Sequence, residues 1–239
     1  MHTLAIFSFI CINFSYSSAG KFFHACILQD LNLSVSTALM HMYGKCGCLS
    51  EAWLVFHNID AKDVVAWNCI LSVCRDGQVE EVMALYEQME LEDLVPDKVT
   101  FISLLSICAC SFDVISGEKF HGLIVNKGYE TDVKVGNAIV NMYSKCGNLS
   151  DAISVFELSE ERDSILYGAI IVAYNQFGFS ENAICAYDRM VLEGVKPTEY
   201  AVVAFLGSCG MSSSLVRSKA LHSCLMYCGY ESDIVLGTS

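Results

Sequence analysis

At 239 residues the chain can bury a substantial core, and its 54% hydrophobic and 17% charged residues, with only two prolines, suit short elements joined by tight turns. Its formal net charge of -13, from 14 basic and 27 acidic residues, argues against a generally phosphate-attracting surface but leaves room for a local basic track. Thirteen cysteines without one C-x-x-C pair exclude zinc-ribbon, c-type haem and thioredoxin motifs, so free thiols packed as small hydrophobes in a reducing compartment are expected.

In chain order, Leu4 to Phe14 is an apolar stretch followed by Ser-Ser-Ala-Gly, a pattern that resembles a signal peptide. It has no cationic n-region and is too short to span a bilayer, and it aligns better with the interior segment Thr100 to Val125. Residues 39 to 47 (LMHMYGKCG) return at 139 to 147 (IVNMYSKCG), and LSEAWLVF at 49 to 56 returns as LSDAISVF at 149 to 156. Residues 64 to 97 match 164 to 198, and 106 to 132 match 208 to 233. A period of about a hundred residues thus divides into three related units of about 31, 35 and 35 residues, the size of helix–turn–helix solenoid repeats.

Each unit reads as two helices. Val35, Ala38, Leu39, Met42 and Tyr43 fall on one helical face; Gly47 suits the left-handed position past a helix end; Ser50 is the expected N-cap of a second helix whose stripe is Ala52, Val55 and Phe56. Gly147, Ser150, Asp151, Ala152, Val155 and Phe156 repeat the design, and Pro96 and Pro197 stand between units, where helices stop. The expected class is all-α, a right-handed α-solenoid of stacked hairpins.

The motifs MYGKCG, MYSKCG, VVAWNCIL and GEKFHGLIVNKGYETD resemble the pentatricopeptide repeat family, in its plant subclass of alternating long, short and standard motifs. The resemblance covers essentially the whole chain as a single array: long 1–32, short 33–63, standard 64–97, long 98–132, short 133–163, standard 164–198, long 199–233, and the opening of a short motif at 234–239. It implies sequence-specific binding of single-stranded RNA, about one base per repeat, in a mitochondrial or chloroplast RNA-processing or RNA-editing factor. The residues themselves hold no Arg-rich amphipathic transit segment, so an organellar address is expected upstream.

In the family the fifth and last residues of a motif read the base. By that rule Thr37 with Asp63 favours guanine, whereas Asn68 with Asp97 and Asn137 with Asp163 favour uracil. Gly168 with Thr198 departs from the readable combinations, and the long motifs offer apolar Ile102 and Val203 in place of a reader. Lys45 and Lys145 share one position near the end of a first helix, where they contact RNA phosphates or are simply solvated.

Other constellations read as structure. His24, His121 and His222 recur at one place in the long motifs and are expected to pack inside their own hairpins rather than to share a metal. Cys46, Cys146 and Cys108 are expected in the core, as are Trp67 and Tyr167. No His is followed two residues later by Glu, and no phosphate-cradling loop or nucleophile elbow is present, so neither an enzyme, a cofactor, a bound metal, a small-molecule substrate nor a membrane partner is expected. Editing-factor proteins or a deaminase acting in trans are the partners the resemblance implies besides RNA. The acidic balance keeps a second reading open, a protein-interaction solenoid or truncated repeat protein that has lost tight RNA binding.

Overall fold

The computed structural model describes residues 33–74 and 79–211. Expectations for the apolar N-terminal stretch, His24, His222 and the 234–239 motif lie outside the described residues. Among the described residues the chain forms eleven α-helices and no strand: α1 Leu33–Lys45, α2 Leu49–His57, α3 Val64–Val73, α4 Val79–Leu91, α5 Lys98–Ser111, α6 Val114–Asn126, α7 Val133–Lys145, α8 Leu149–Leu158, α9 Ser164–Gln176, α10 Ser180–Leu192 and α11 Glu199–Met211. The described residues fall into two compact units that divide between Ile107 and Cys108. No described helix is long and apolar enough to cross a membrane.

The packing rule is the same in each unit. In the first, α1 packs on α2 and on α3; in the second, α7 packs on α8 and α9, and α9 on α10 and α11. A first helix is thus covered by its own partner and by the first helix of the next hairpin, which leaves it an apolar arc wider than a two-helix contact needs. On α7 that arc takes in Val135, Ile139, Val140, Met142 and Tyr143. On α1 it is Leu39, Met40 and Tyr43, ending at Ser36; Val35, expected on this face, is 47% exposed because it lies beyond that arc in the helix's first turn. Trp67 and Tyr167 are fully buried as expected, each edge-to-face against the phenylalanine of the preceding hairpin, with ring centroids 4.8 Å apart for Phe56–Trp67 and 5.2 Å for Phe156–Tyr167.

The turns inside the hairpins follow from backbone chemistry. Gly47 and Gly147 take positive φ, 72° and 84°, and the next residue's N–H reaches back to the carbonyl of Tyr43 or Tyr143, 2.9 Å in both, which satisfies a carbonyl that the helix end leaves free. The second helices then begin earlier than expected. The caps of α2 and α8 are Cys48 and Asn148, not Ser50 and Ser150, and Asn148 Oδ1 accepts from the Asp151 N–H at 3.3 Å. The Ser50 and Ser150 hydroxyls donate instead to Glu51 and to Asn148 Oδ1. The turn between α5 and α6 reaches the same conformation without glycine: Phe112 sits at φ 58°, 70% exposed, while the Asp113 N–H closes onto the Cys108 carbonyl at 3.0 Å.

A polar cluster ties three helices of the second unit together. Arg189 on α10 donates to both oxygens of Glu157 on α8 (2.9 and 2.8 Å) and to Glu193 at 2.9 Å, and the Tyr167 hydroxyl of α9 donates to Glu193 at 2.6 Å. Arg162 and Arg189 both lie over the Phe156 ring, 5.2 and 5.7 Å from its centroid.

Two further expectations need correction. Cys108 is buried and Cys146 half-buried, but Cys46 is exposed, because it follows the last turn of α1 at the surface end of the hairpin. His121 is half-buried, and its Nδ1 hydrogen-bonds the Tyr143 hydroxyl at 3.0 Å; that partner is on α7, the next hairpin, not its own, because α6 also packs against α7.

Phe112 occupies a backbone region that disfavours a Cβ, and its exposed ring has little packing to lose. The substitution Phe112→Gly is expected to stabilise the chain by about 0.5–1 kcal/mol, read as a higher melting temperature. Burial holds the His121 imidazole below the ordinary histidine range, against the upward pull of Asp151 and Glu130. A depressed folded-state value means stability that is complete above the unfolded value and lost as pH falls through it. Thermal melting from about pH 7.5 to about pH 5.5 is therefore expected to show falling stability, with a shallower slope in His121→Gln.

Candidate nucleic-acid interface

Four first helices begin on an aspartate. Asp63 Oδ1 accepts the Ala66 N–H at 2.8 Å; Asp97 Oδ1 accepts the Thr100 N–H at 2.9 Å; Asp132 Oδ1 accepts from Lys134 and Val135 at 3.0 and 3.3 Å; Asp163 Oδ1 accepts from Ile165 and Leu166 at 3.0 and 2.8 Å. Each carboxylate thus satisfies backbone donors that a helix start leaves free, at the end where the helix dipole favours negative charge. These are the last residues of the motifs assigned above. Their capping role is legible in the sequence as an Asp immediately before each apolar run.

Two of them also reach back to the preceding first helix. Asn68 Nδ2 on α3 donates to Asp97 Oδ1 at 3.0 Å across 29 residues, and Asn137 Nδ2 on α7 donates to both oxygens of Asp163, each at 3.2 Å, across 26. The Asn68 amide is further fixed by Thr100, whose hydroxyl lies 2.6 Å from Asn68 Oδ1. Burial pushes the Asp97 carboxyl up, but hydrogen bonds from the Thr100 N–H, the Asn68 amide, the Thr100 hydroxyl and the Val99 N–H outweigh it and hold Asp97 below its ordinary value.

The other two pairs are not joined. The Thr37 hydroxyl donates to the Ser34 carbonyl of its own helix at 3.0 Å, and no hydrogen bond links it to Asp63 among the described residues. Gly168 is buried, and a Cβ there would lie 2.9 Å from the Tyr200 ring; Thr198 Oγ1 accepts the Ala201 N–H at 3.4 Å. At that unit an aromatic ring stands against the position where Asn68 and Asn137 place an amide.

A feature that the repeat pattern alone does not reveal surrounds these pairs. The second residue of α3, α5, α9 and α11 is large and exposed: Val65 61%, Val99 54%, Ile165 60% and Tyr200 58%. Val65 lies one turn before Asn68 on the same helix, and Val99 follows Asp97 by two residues, so apolar side chains flank the polar pair. The signal in the sequence is an apolar residue two places after the boundary residue, out of phase with the buried stripe. Lys45 and Lys145 are exposed at the last residue of α1 and α7, where a cation is favoured by the C-terminal end of the helix dipole. Among the described residues no group of three or more His, Cys, Asp or Glu could hold a metal ion.

Comparison with known proteins agrees with the repeat fold. The PPR repeat matches residues 34–64, 137–164 and 165–195, and the PPR repeat family matches 62–110, together more than half of the chain. A mitochondrial pentatricopeptide repeat-containing protein of Arabidopsis thaliana is 32% identical over 96% of this chain and 34% of its own length. A chloroplastic one from the same plant is 30% identical over 87% of this chain and 34% of its own length. The chain spans about a third of the length of these relatives. Its fold is like that of maize PPR10, an α-solenoid, at a TM-score of 0.64 and 22% identity, covering 83% of this chain and 30% of that one. PPR10 in complex with an 18-nt psaJ RNA element gives 0.66 and 20%, covering 82% and 31%. Repeated hairpins, aspartates at successive boundaries and these matches place the chain in the pentatricopeptide repeat family.

Proposed function

We propose that the chain is a sequence-specific single-stranded RNA-binding module of an organellar RNA-processing or RNA-editing factor, built of long, short and standard motifs in one array and without catalysis of its own. The observation that carries this reading is the pair of amide–carboxylate clamps, Asn68–Asp97 and Asn137–Asp163, in two different hairpins with the same construction. An amide held by a carboxylate through Nδ2 has a fixed orientation, which is what reading a hydrogen-bond pattern on a base edge requires. The exposed Val65, Val99 and Ile165 supply apolar surface beside it, suited to the faces of a base.

Uracil is the base proposed for both clamps and guanine for Thr37 with Asp63, where the hydroxyl must turn away from Ser34 to reach a base. The Gly168–Thr198 unit is proposed to leave its base unread. Lys45 and Lys145 are proposed to meet the phosphate backbone. The RNA element bound by PPR10 and the mitochondrial and chloroplastic names of the relatives support the RNA and organelle assignments. Any deamination or cleavage then comes from a protein acting in trans.

A protein-interaction solenoid is the second reading, favoured by Leu91 and Leu192, which are 84% and 87% exposed at the ends of α4 and α10. Equilibrium binding to short single-stranded RNAs separates the two. RNA carrying the expected guanine and uracils is expected to bind at least about tenfold tighter than a scrambled one, and Asn68→Ala with Asn137→Ala to remove the difference. Equal, negligible binding of matched and scrambled RNA, with a protein partner recovered instead, would favour the second reading. Lys45→Ala with Lys145→Ala is expected to weaken binding to all sequences alike and to reduce the dependence of log K on log salt by about 0.7 for each phosphate left without its lysine.

A further inference from the structure

The two uracil clamps are not equivalent, and the difference lies in a residue outside the reading pair. At the first clamp, the third residue of the following helix is Thr100, fully buried, whose hydroxyl is 2.6 Å from Asn68 Oδ1 and 3.0 Å from Asp97 Oδ1, and accepts the Asp97 N–H at 3.1 Å. Both ends of the Asn68 amide are therefore engaged, Nδ2 by Asp97 and Oδ1 by Thr100. At the second clamp the matching residue is Leu166, 1% exposed, with no polar side-chain atom to offer. Asn137 Nδ2 faces Asp163, and Asn137 Oδ1 is buried with no hydrogen-bond partner among the described residues.

We infer that Thr100 is a positioning residue for base selection, making the Asn68 unit discriminate uracil from cytosine more sharply than the Asn137 unit, where Leu166 stands in its place. This rests on the RNA-reading function proposed above. Uracil presents a carbonyl oxygen where cytosine presents an amine, so the first asks an amide for its N–H and the second for its C=O. Presenting Oδ1 to cytosine requires the asparagine amide to turn over, which both clamps oppose by bringing an oxygen against a carboxylate. At Asn68 the turn also breaks the bond from Thr100. At Asn137 there is no such bond to lose, and the buried, unsatisfied oxygen gains by leaving its site.

Binding of the full chain is measured to RNAs that differ only by uracil or cytosine at the base assigned to Asn68, and to a second set varied only at the base assigned to Asn137. The uracil-to-cytosine affinity ratio is expected to be about fivefold larger opposite Asn68, the factor one net hydrogen bond supports. Thr100→Val, which keeps the volume and removes the hydroxyl, is expected to lower the Asn68 ratio to that of Asn137 without altering the latter, and Thr100→Ser to restore it. Equal ratios in the unmodified chain, or an Asn68 ratio unmoved in Thr100→Val, overturn the inference while leaving RNA reading intact. The comparison within the unmodified chain needs no variant, so poor folding of Thr100→Val does not decide it. Matched RNA bound no better than scrambled RNA overturns the proposed function and this inference together.

Discussion

A carboxylate placed one residue before a helix meets two demands at once, and the geometry of the clamps depends on that coincidence. The N-terminal turn of any helix leaves backbone N–H groups without partners, and an aspartate at that point accepts from them. Asp97 and Asp163 do so while also taking the amide of an asparagine on the preceding first helix. The cap that starts one hairpin therefore fixes a side chain of the hairpin before it. Because such a cap can occur once per repeat, the held side chain can as well, which is the spacing that the proposed reading of one base per repeat requires.

The core keeps this arrangement in place. Trp67 immediately precedes the held Asn68, Tyr167 stands at the same place before Gly168, and each ring packs edge-to-face on the phenylalanine of the hairpin before it. An anchor one residue away leaves Asn68 little freedom of azimuth, since helical neighbours move together. Around Tyr167 the locking is partly polar, with Glu193, Arg189 and Glu157 in one chain of hydrogen bonds. Around Trp67 it is apolar, and the buried indole N–H has no partner among the described residues. The hairpin thus tolerates different chemistry on its inner side while the boundary aspartate before the aromatic stays the same.

The hairpins are legible in the sequence because their punctuation is local. A glycine at positive φ ends α1, α7 and α9, an apolar stripe with a 3.6-residue period marks each helix, and neither depends on distant residues. What the pattern does not show depends on neighbours. Periodicity shows that Val35 and Cys46 are apolar but not where the covering helix stops, and it shows that His121 recurs but not that Tyr143 of the next hairpin is its partner. Serine and asparagine cap helices about equally well, so residue type alone does not separate Ser150 from Asn148, whereas the turn geometry set by Gly147 puts the cap at Asn148, immediately after the glycine. At the candidate site, the reading positions come from family resemblance, and the structure joins only Asn68 with Asp97 and Asn137 with Asp163. The Thr100–Asn68 contact spans 32 residues and has no counterpart at Leu166, so no repeat pattern announces it.

The most direct test of the dual role of the boundary aspartate is a double-mutant cycle between Asn137 and Asp163, read as RNA affinity. Asp163→Ser retains a cap for α9 but is too short to hold Asn137 through two oxygens, and Asn137→Ala removes the reader. If the carboxylate orients the amide for the base, the two changes are strongly non-additive, with a coupling of more than about 0.5 kcal/mol and little further loss in the double variant. Additive losses would mean that the aspartate serves the helix alone and that its contact with Asn137 has no part in recognition.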